Sequence, residues 1–172
     1  VYRDPIYKHD NIKIYEQPIK AEDGEVEKDH LYALCVDVSE AKNLDCSAFT
    51  VFDTTTIPYR LVAKFKDNDI KPIVLPNIIH QVAKAYNRSY ILIEVNDIGA
   101  QVADILHFEL AYENLLKFQI KGKQGTQASG GFGAGNNKIA FGLKTTVQSK
   151  NIGCANLKAL VEKDKLIIND AD

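Results

Sequence analysis

Two acidic residues stand where acids are costly. Asp37 lies near the end of the run Leu31-Tyr32-Ala33-Leu34-Cys35-Val36-Asp37-Val38, and Glu94 lies within Ile91-Leu92-Ile93-Glu94-Val95. A carboxylate in such a run is expensive to bury unless it is paired or binds a cation. If the two runs are neighbouring strands, the carboxylates converge on one point. They then repel each other, and a bound Mg²⁺ relieves the repulsion. Such a pair can activate a water and stabilise the leaving oxygen in phosphodiester cleavage. The alternative is structural: each acid pairs separately with a Lys, an Arg or a backbone N–H. The residues alone leave both readings open.

Other chemistry-bearing residues are less organised. Residues 117–150 contain Lys117, Lys121, Lys123, Lys138, Lys144 and Lys150 but no Asp or Glu, in a chain whose formal net charge is -2. That asymmetry suits a phosphate backbone, and it equally suits a solvated, flexible face. The histidines, His9, His30, His80 and His107, show no metal-ligand spacing. Cys35, Cys46 and Cys154 show no C-x-x-C pair, and Cys35 and Cys154 are expected to be small buried residues. A reducing compartment is the simplest fit. No stretch approaches the roughly 20 apolar residues that span a bilayer. The chain begins at Val1, contains no Met and ends in polar residues, so it is expected to be a piece of something longer.

The elements that must position the acids follow from hydrophobic period. Residues 1–29 are polar and irregular, with a short strand expected at residues 12–15, and read as a linker or N-terminal extension. Strands are predicted at residues 31–38, 48–52 and 60–65, joined closely enough for an antiparallel meander. Leu75, Ile78, Ile79, Val82 and Tyr86 recur at helical spacing, with Pro76 suited to the first turn. A strand at 90–95 leads to a helix that Asn96 or Asp97 can cap. Gly99 at its start either makes room beside Glu94 or is a plain packing glycine. A strand at 115–120, a mobile Gly-rich segment at 121–137 and a short strand at 138–143 come next. An amphipathic helix at 145–164 and a strand at 166–168 complete the pattern. A meander followed by alternating helices and strands implies a mixed α/β sheet with helices on its faces. The ribonuclease H-like architecture is one such fold.

Three segments carry a more specific signal. Cys35-Val36-Asp37-Val38-Ser39-Glu40, Leu44-Asp45-Cys46-Ser47 and Ile93-Glu94-Val95-Asn96-Asp97-Ile98-Gly99 resemble the nuclease motifs of large terminase subunits, most closely the DNA-packaging motors of T-even-type tailed phages. Lys150-Asn151-Ile152-Gly153-Cys154-Ala155-Asn156-Leu157-Lys158 and Glu162-Lys163-Asp164-Lys165-Leu166 resemble the later part of the same domain. The resemblance implies an α/β, ribonuclease H-like mixed sheet with helices on both faces, spanning residues 30–172. It implies a Mg²⁺- or Mn²⁺-dependent endonuclease that cuts concatemeric double-stranded DNA in the cytoplasm of an infected bacterium. Its partners would be the terminase ATPase domain, the small terminase subunit and the portal protein.

By the same resemblance, Asp37 and Glu94 match two of the family's three catalytic acids. Asp45 matches a further acid beside the metals, and its alternative role is a loop cap. Lys121, Lys123, Lys138, Lys144 and Lys150 would grip DNA. The chain departs from the pattern in two ways. It has no G-x-x-x-x-G-K-[ST] loop, so it is not the ATPase. The family's third acid lies on a helix beyond the last short strand, and Asp170 and Asp172 come too early to match it. This stretch by itself is therefore expected to be weakly active or inactive. Two other readings stay open: another ribonuclease H-like nuclease, such as a junction resolvase or transposase core, and a docking domain with a dormant site.

Overall fold

The computed structural model describes residues 3–9, 11–19, 27, 29–39, 45–96, 98–117 and 141–170. Lys121, Lys123, Lys138, Asp97, Asp172 and the Gly-rich stretch 121–137 lie outside the described residues.

The apolar runs form the predicted meander. β3 (Tyr32–Asp37), β4 (Ser47–Asp53) and β5 (Tyr59–Asp67) pair antiparallel in chain order. The chain then crosses through α1 (Leu75–Ala85), which carries Pro76 in its first turn, and returns as β6 (Tyr90–Ile93) parallel to β3. A β3–β6 parallel pair needs such a crossover, because a hairpin can only reverse direction. α2 (Gly99–Asp104) and a π-helical turn (Ile105–Glu109) follow.

Alternation along the strands builds the core on one face. Leu34, Val36, Val51, Ile91 and Ile93 are buried there. Leu75, Ile79 and Ala83 of α1, with Val102 and Leu106, cover them. The opposite parity puts Cys35, Asp37 and Leu92 on the other face. Cys35 is exposed there rather than buried, because its side chain alternates away from the packed face. Cys154 is also exposed, on α3 (Val147–Glu162).

Three expected features differ in detail. The strand expected at 115–120 appears as bridges at Leu115 and Lys117, and residues 118–120 lie outside the described set. The short strand expected at 138–143 appears as bridges at Phe141, Gly142 and Leu143, where Leu143 pairs with Glu94 and prolongs the sheet beside β6. α3 starts on a Thr146–Ser149 capping box, but none of its residues is buried. Ile152, Leu157 and Val161 are 55%, 52% and 55% exposed, so its apolar stripe faces outward. Helical period sets which residues share a stripe; it does not supply a surface for that stripe to meet.

The N-terminal segment is an extension built into the sheet. β1 (Tyr7–His9) and β2 (Ile12–Ile14) form a hairpin, and β2 pairs with β5. β7 (Leu166–Ile167) pairs parallel with the start of β5. The sheet order is β1-β2-β5-β4-β3-β6, with β7 also against β5. Asp170, whose side chain is 4% exposed, clamps these pieces, accepting from Tyr15 Oη at 2.7 Å, Lys13 Nζ at 3.3 Å and Lys64 Nζ. Burial raises its carboxyl pKa, but the hydrogen bonds from Lys64, Tyr15 and Lys13 outweigh it and hold the group well below the usual carboxylate range.

At the other end of β4, the buried Asp53 accepts from Arg60 Nη2 at 2.6 Å and pairs with His30 Nε2 at 3.0 Å. Asn87 grips the same segment, donating to the Glu27 and His30 carbonyls at 2.7 and 2.6 Å.

Candidate metal centre

β3 and β6 bring the two acids together. Val36 is in register with Ile93, and Glu94 N donates to Val36 O at 3.0 Å. Asp37 and Glu94 are thus the next residues along two parallel neighbours, at the same end and on the same face. Both line one cavity of about 340 Å³. Cys35, Thr50, Leu92, Leu143 and Thr145 also line it.

The electrostatics match that placement. Burial raises the Asp37 carboxyl pKa, and the negative charges of Glu94 and Asp45 raise it further. Among the described groups that shift it, none lowers it. The structural alternative, in which Asp37 pairs with a cation of its own, therefore has no partner to name among the described residues. Asp45 stands close enough to act on Asp37 but does not line the cavity. It is placed by a small hydrogen-bonded ring: Ser39 N donates to Ser47 Oγ at 3.1 Å, and Ser39 Oγ donates to the Asp45 carbonyl at 2.8 Å.

This repulsion has a measurable consequence. Asp37→Asn is expected to stabilise the metal-free protein slightly, by roughly a few tenths of a kcal/mol given solvent screening, and so to raise its melting temperature. The sign follows from the raised pKa: charged Asp37 destabilises the fold above that pKa, and the penalty fades as pH falls through it. Calorimetric melting in EDTA checks this, and a lower melting temperature would count against the repulsion.

The donor set fits a hard divalent cation: two carboxylates in one cavity, a third nearby, and unrelieved negative charge. No group of three or more His, Cys, Asp or Glu among the described residues is assembled as a ligand set. The two lining acids can hold one cation, with water filling its remaining positions.

Of the lysines expected to contact DNA, Lys144 and Lys150 are described and exposed. Lys144 lies between Leu143 and Thr145, which line the cavity, and Lys150 lies in the first turn of α3. Lys117 sits over the Phe141 ring, 4.9 Å from its centroid. His80 packs against Tyr112 and His107 against Phe141.

Asn96 does not cap α2 as expected. The N-cap is Ile98, with no side-chain bond, and the Asn96 amide instead donates to Glu94 Oε1 at 2.9 Å. Sequence reasoning also missed Thr145 in the cavity lining. The only sequence signal for Asn96 is its offset of two from Glu94, which puts both side chains on one side of an extended chain.

The family model described as "Terminase RNaseH-like domain" matches residues 34–172. Among solved structures, the large terminase nuclease from thermophilic phage G20c with bound magnesium superposes with a TM-score of 0.67 at 17% identity, over 99% of this chain and 70% of that one. The zinc-bound form of that nuclease gives 0.66 at 16% identity, over 99% and 78%. The Thermus phage P74-26 large terminase nuclease domain gives 0.64 at 18% identity, over 99% and 68%. At these identities the likeness is one of fold. Together with the match over most of the chain's length, it identifies this seven-stranded mixed sheet: the chain belongs to the terminase RNaseH-like domain family.

Proposed function

We propose that this domain is a metal-dependent endonuclease that cuts concatemeric double-stranded DNA during phage genome packaging. The observation that carries the proposal is the convergence of Asp37 and Glu94 in one cavity, with no cation among the described groups that shift Asp37. A relative of the same fold is a large terminase nuclease with bound magnesium, which supports Mg²⁺ as the ion, with Mn²⁺ as a substitute.

Asp37 and Glu94 would hold the cation, with Asp45 as a further ligand directly or through water. The bound ion would supply Lewis-acid activation of water and stabilisation of charge on the phosphate. Leu92 and Phe49 supply apolar lining beside the carboxylates. Lys144, next in sequence to Thr145, and Lys150 would contact the phosphate backbone, so binding would weaken with salt. Lys121, Lys123 and Lys138 extend the same basic segment in sequence. The nuclease unit spans residues 30–172, with residues 1–29 as its N-terminal extension. Its partners are the packaging ATPase domain, the small terminase subunit and the portal, and its setting is the infected host cytoplasm.

Plasmid nicking tests this reading. Slow conversion of supercoiled DNA to nicked circles is expected with Mn²⁺ or Mg²⁺, stopped by EDTA and reduced at least about a hundredfold by Asp37→Asn or Glu94→Gln. Cleavage that persists in EDTA, or in both variants, would overturn it. DNA binding without cleavage by wild type and Asp37→Asn alike would favour a docking domain. The outward apolar stripe of α3 is the feature that suits that alternative.

A further inference from the structure

The Asn96 side chain sits between the Glu94 carboxylate and the chain segment that leads into α3. Its Nδ2 donates to Glu94 Oε1 at 2.9 Å and reaches the Thr145 carbonyl at 3.4 Å. Both partners are acceptors, so the amide nitrogen must face them; turning the amide over would set oxygen against two oxygens. With the nitrogen so placed, Asn96 Oδ1 is buried and has no hydrogen-bond donor among the described residues.

This is a poor arrangement for stability alone. Asn at a strand-to-helix junction gains most by capping the helix. Asn96 forgoes that cap, since α2 begins at Ile98 without one, and it leaves its own carbonyl unpaired. What the residue does instead is grip one oxygen of an acid that lines the cavity. Glu has one more rotatable bond than Asp, so its carboxylate is the harder of the two to fix at a strand end. Asp37 has a shorter stem and needs no such clamp.

We infer that Asn96 is the positioning residue of the site, anchoring one Glu94 oxygen so that the other is presented to the divalent cation. The inference rests on the reading of Asp37 and Glu94 as cation ligands. It concerns the ground-state geometry of the ligand set, so cation affinity reports on it directly, without cleavage. Groups of this kind, bonded to a ligand rather than to the metal, typically set affinity by an order of magnitude or more.

The experiment is a calorimetric Mn²⁺ titration of wild type, Asn96→Leu, Asn96→Asp and Glu94→Gln, with metal-free melting of each. Asn96→Leu preserves approximate volume and removes the donor. It is expected to bind Mn²⁺ about tenfold more weakly at an unchanged metal-free melting temperature. Asn96→Asp also removes the donor but adds negative charge near the cation. Positioning predicts weaker binding, whereas a role through charge alone predicts tighter binding. Asn96→Leu within about twofold of wild type would overturn the inference, as would tighter binding by Asn96→Asp. If Asn96→Leu lowers metal-free melting, the Asn96→Asp result decides. Loss of binding in Glu94→Gln with wild-type binding in the Asn96 variants would defeat the positioning role alone. Equal binding by Glu94→Gln and wild type would defeat the cation-site reading, and the positioning role with it.

Discussion

Gly99→Ala is expected to weaken the metal site about tenfold and to destabilise the fold by about 1–3 kcal/mol. The reason is local. A Cβ built on Gly99 would lie 3.0 Å from the carbonyl carbon of Glu94 and closer still to its oxygen. Backbone cannot swing aside as a flexible side chain can, so either the start of α2 or the end of β6 must move. Glu94 directly follows the end of β6, and its amide is bonded to Val36 O of β3 at 3.0 Å. A shift there changes the spacing of Glu94 from Asp37, on which shared cation binding depends. Mn²⁺ titration and calorimetric melting would check both effects. Wild-type cation affinity in a destabilised Gly99→Ala protein would show that α2, and not β6, gives way. Gly142 repeats the constraint from the other side: it has φ of +80°, and a Cβ there would lie 2.5 Å from Ile93 O. Two glycines thus let main chain close on the strand that holds Glu94.

Asp53→Ala is expected to lower stability by about 1–3 kcal/mol, measured by urea unfolding near neutral pH, because Arg60 and His30 lose a buried acceptor while Arg60 keeps its pairing with Glu16. Asp53 is 2% exposed, and the substitution would leave Arg60 and His30 without the carboxylate both now contact. Burial pushes its carboxyl pKa up, but hydrogen bonds from Thr55 and the charges of His30 and Arg60 outweigh that, so the net shift is downward. A lowered folded-state pKa stabilises the protein above the ordinary Asp value of about 3.9, and the stabilisation is lost as pH falls through the folded value. The gap between wild type and Asp53→Ala should therefore be widest near neutrality and close below about pH 4. A gap that is independent of pH would mean that lost packing dominates. Cation affinity should be spared, because Asp53 pairs with Tyr32 at the far end of the ladder from Asp37.

The site's scaffold was legible because its signals are local. Apolar runs around Leu34, Val51 and Ile91 could hardly be anything but buried strands, and the helical spacing of Leu75, Ile79 and Ala83 forced a crossover. A crossover allowed β6 to run parallel to β3; that the two strands are neighbours, so that Asp37 and Glu94 end together, was a condition the structure meets. What was not legible depended on partners distant in sequence. Cys35 sits in an apolar run, yet strand parity turns it to the open face, and only the layer above decides exposure. Asn96 had two local uses, capping α2 or gripping Glu94, and Thr145, 49 residues away, helps to decide between them. The pairing of β2 with β5 joins Ile12 to Phe65, and the clamp at Asp170 joins residues more than 100 positions apart. Periodicity carries no information at that range.

The position of Glu94 in the sheet also bears on how the molecule breathes. β6 is the last named strand on its side, but Glu94 is not at a frayed margin. Its amide is bonded to β3, and on its other side Leu143 bridges across it, donating to Ile93 O at 2.7 Å and accepting from Val95 N at 3.0 Å. Amide groups held from both sides open only when a large cooperative unit opens with them. The backbone amides of Glu94, Val95 and Leu143 are therefore expected to be protected from hydrogen exchange, unlike those of the loops. A cation arriving at this site would meet a main chain already ordered at Glu94, so that part of the ordering entropy would have been met in folding and not at binding.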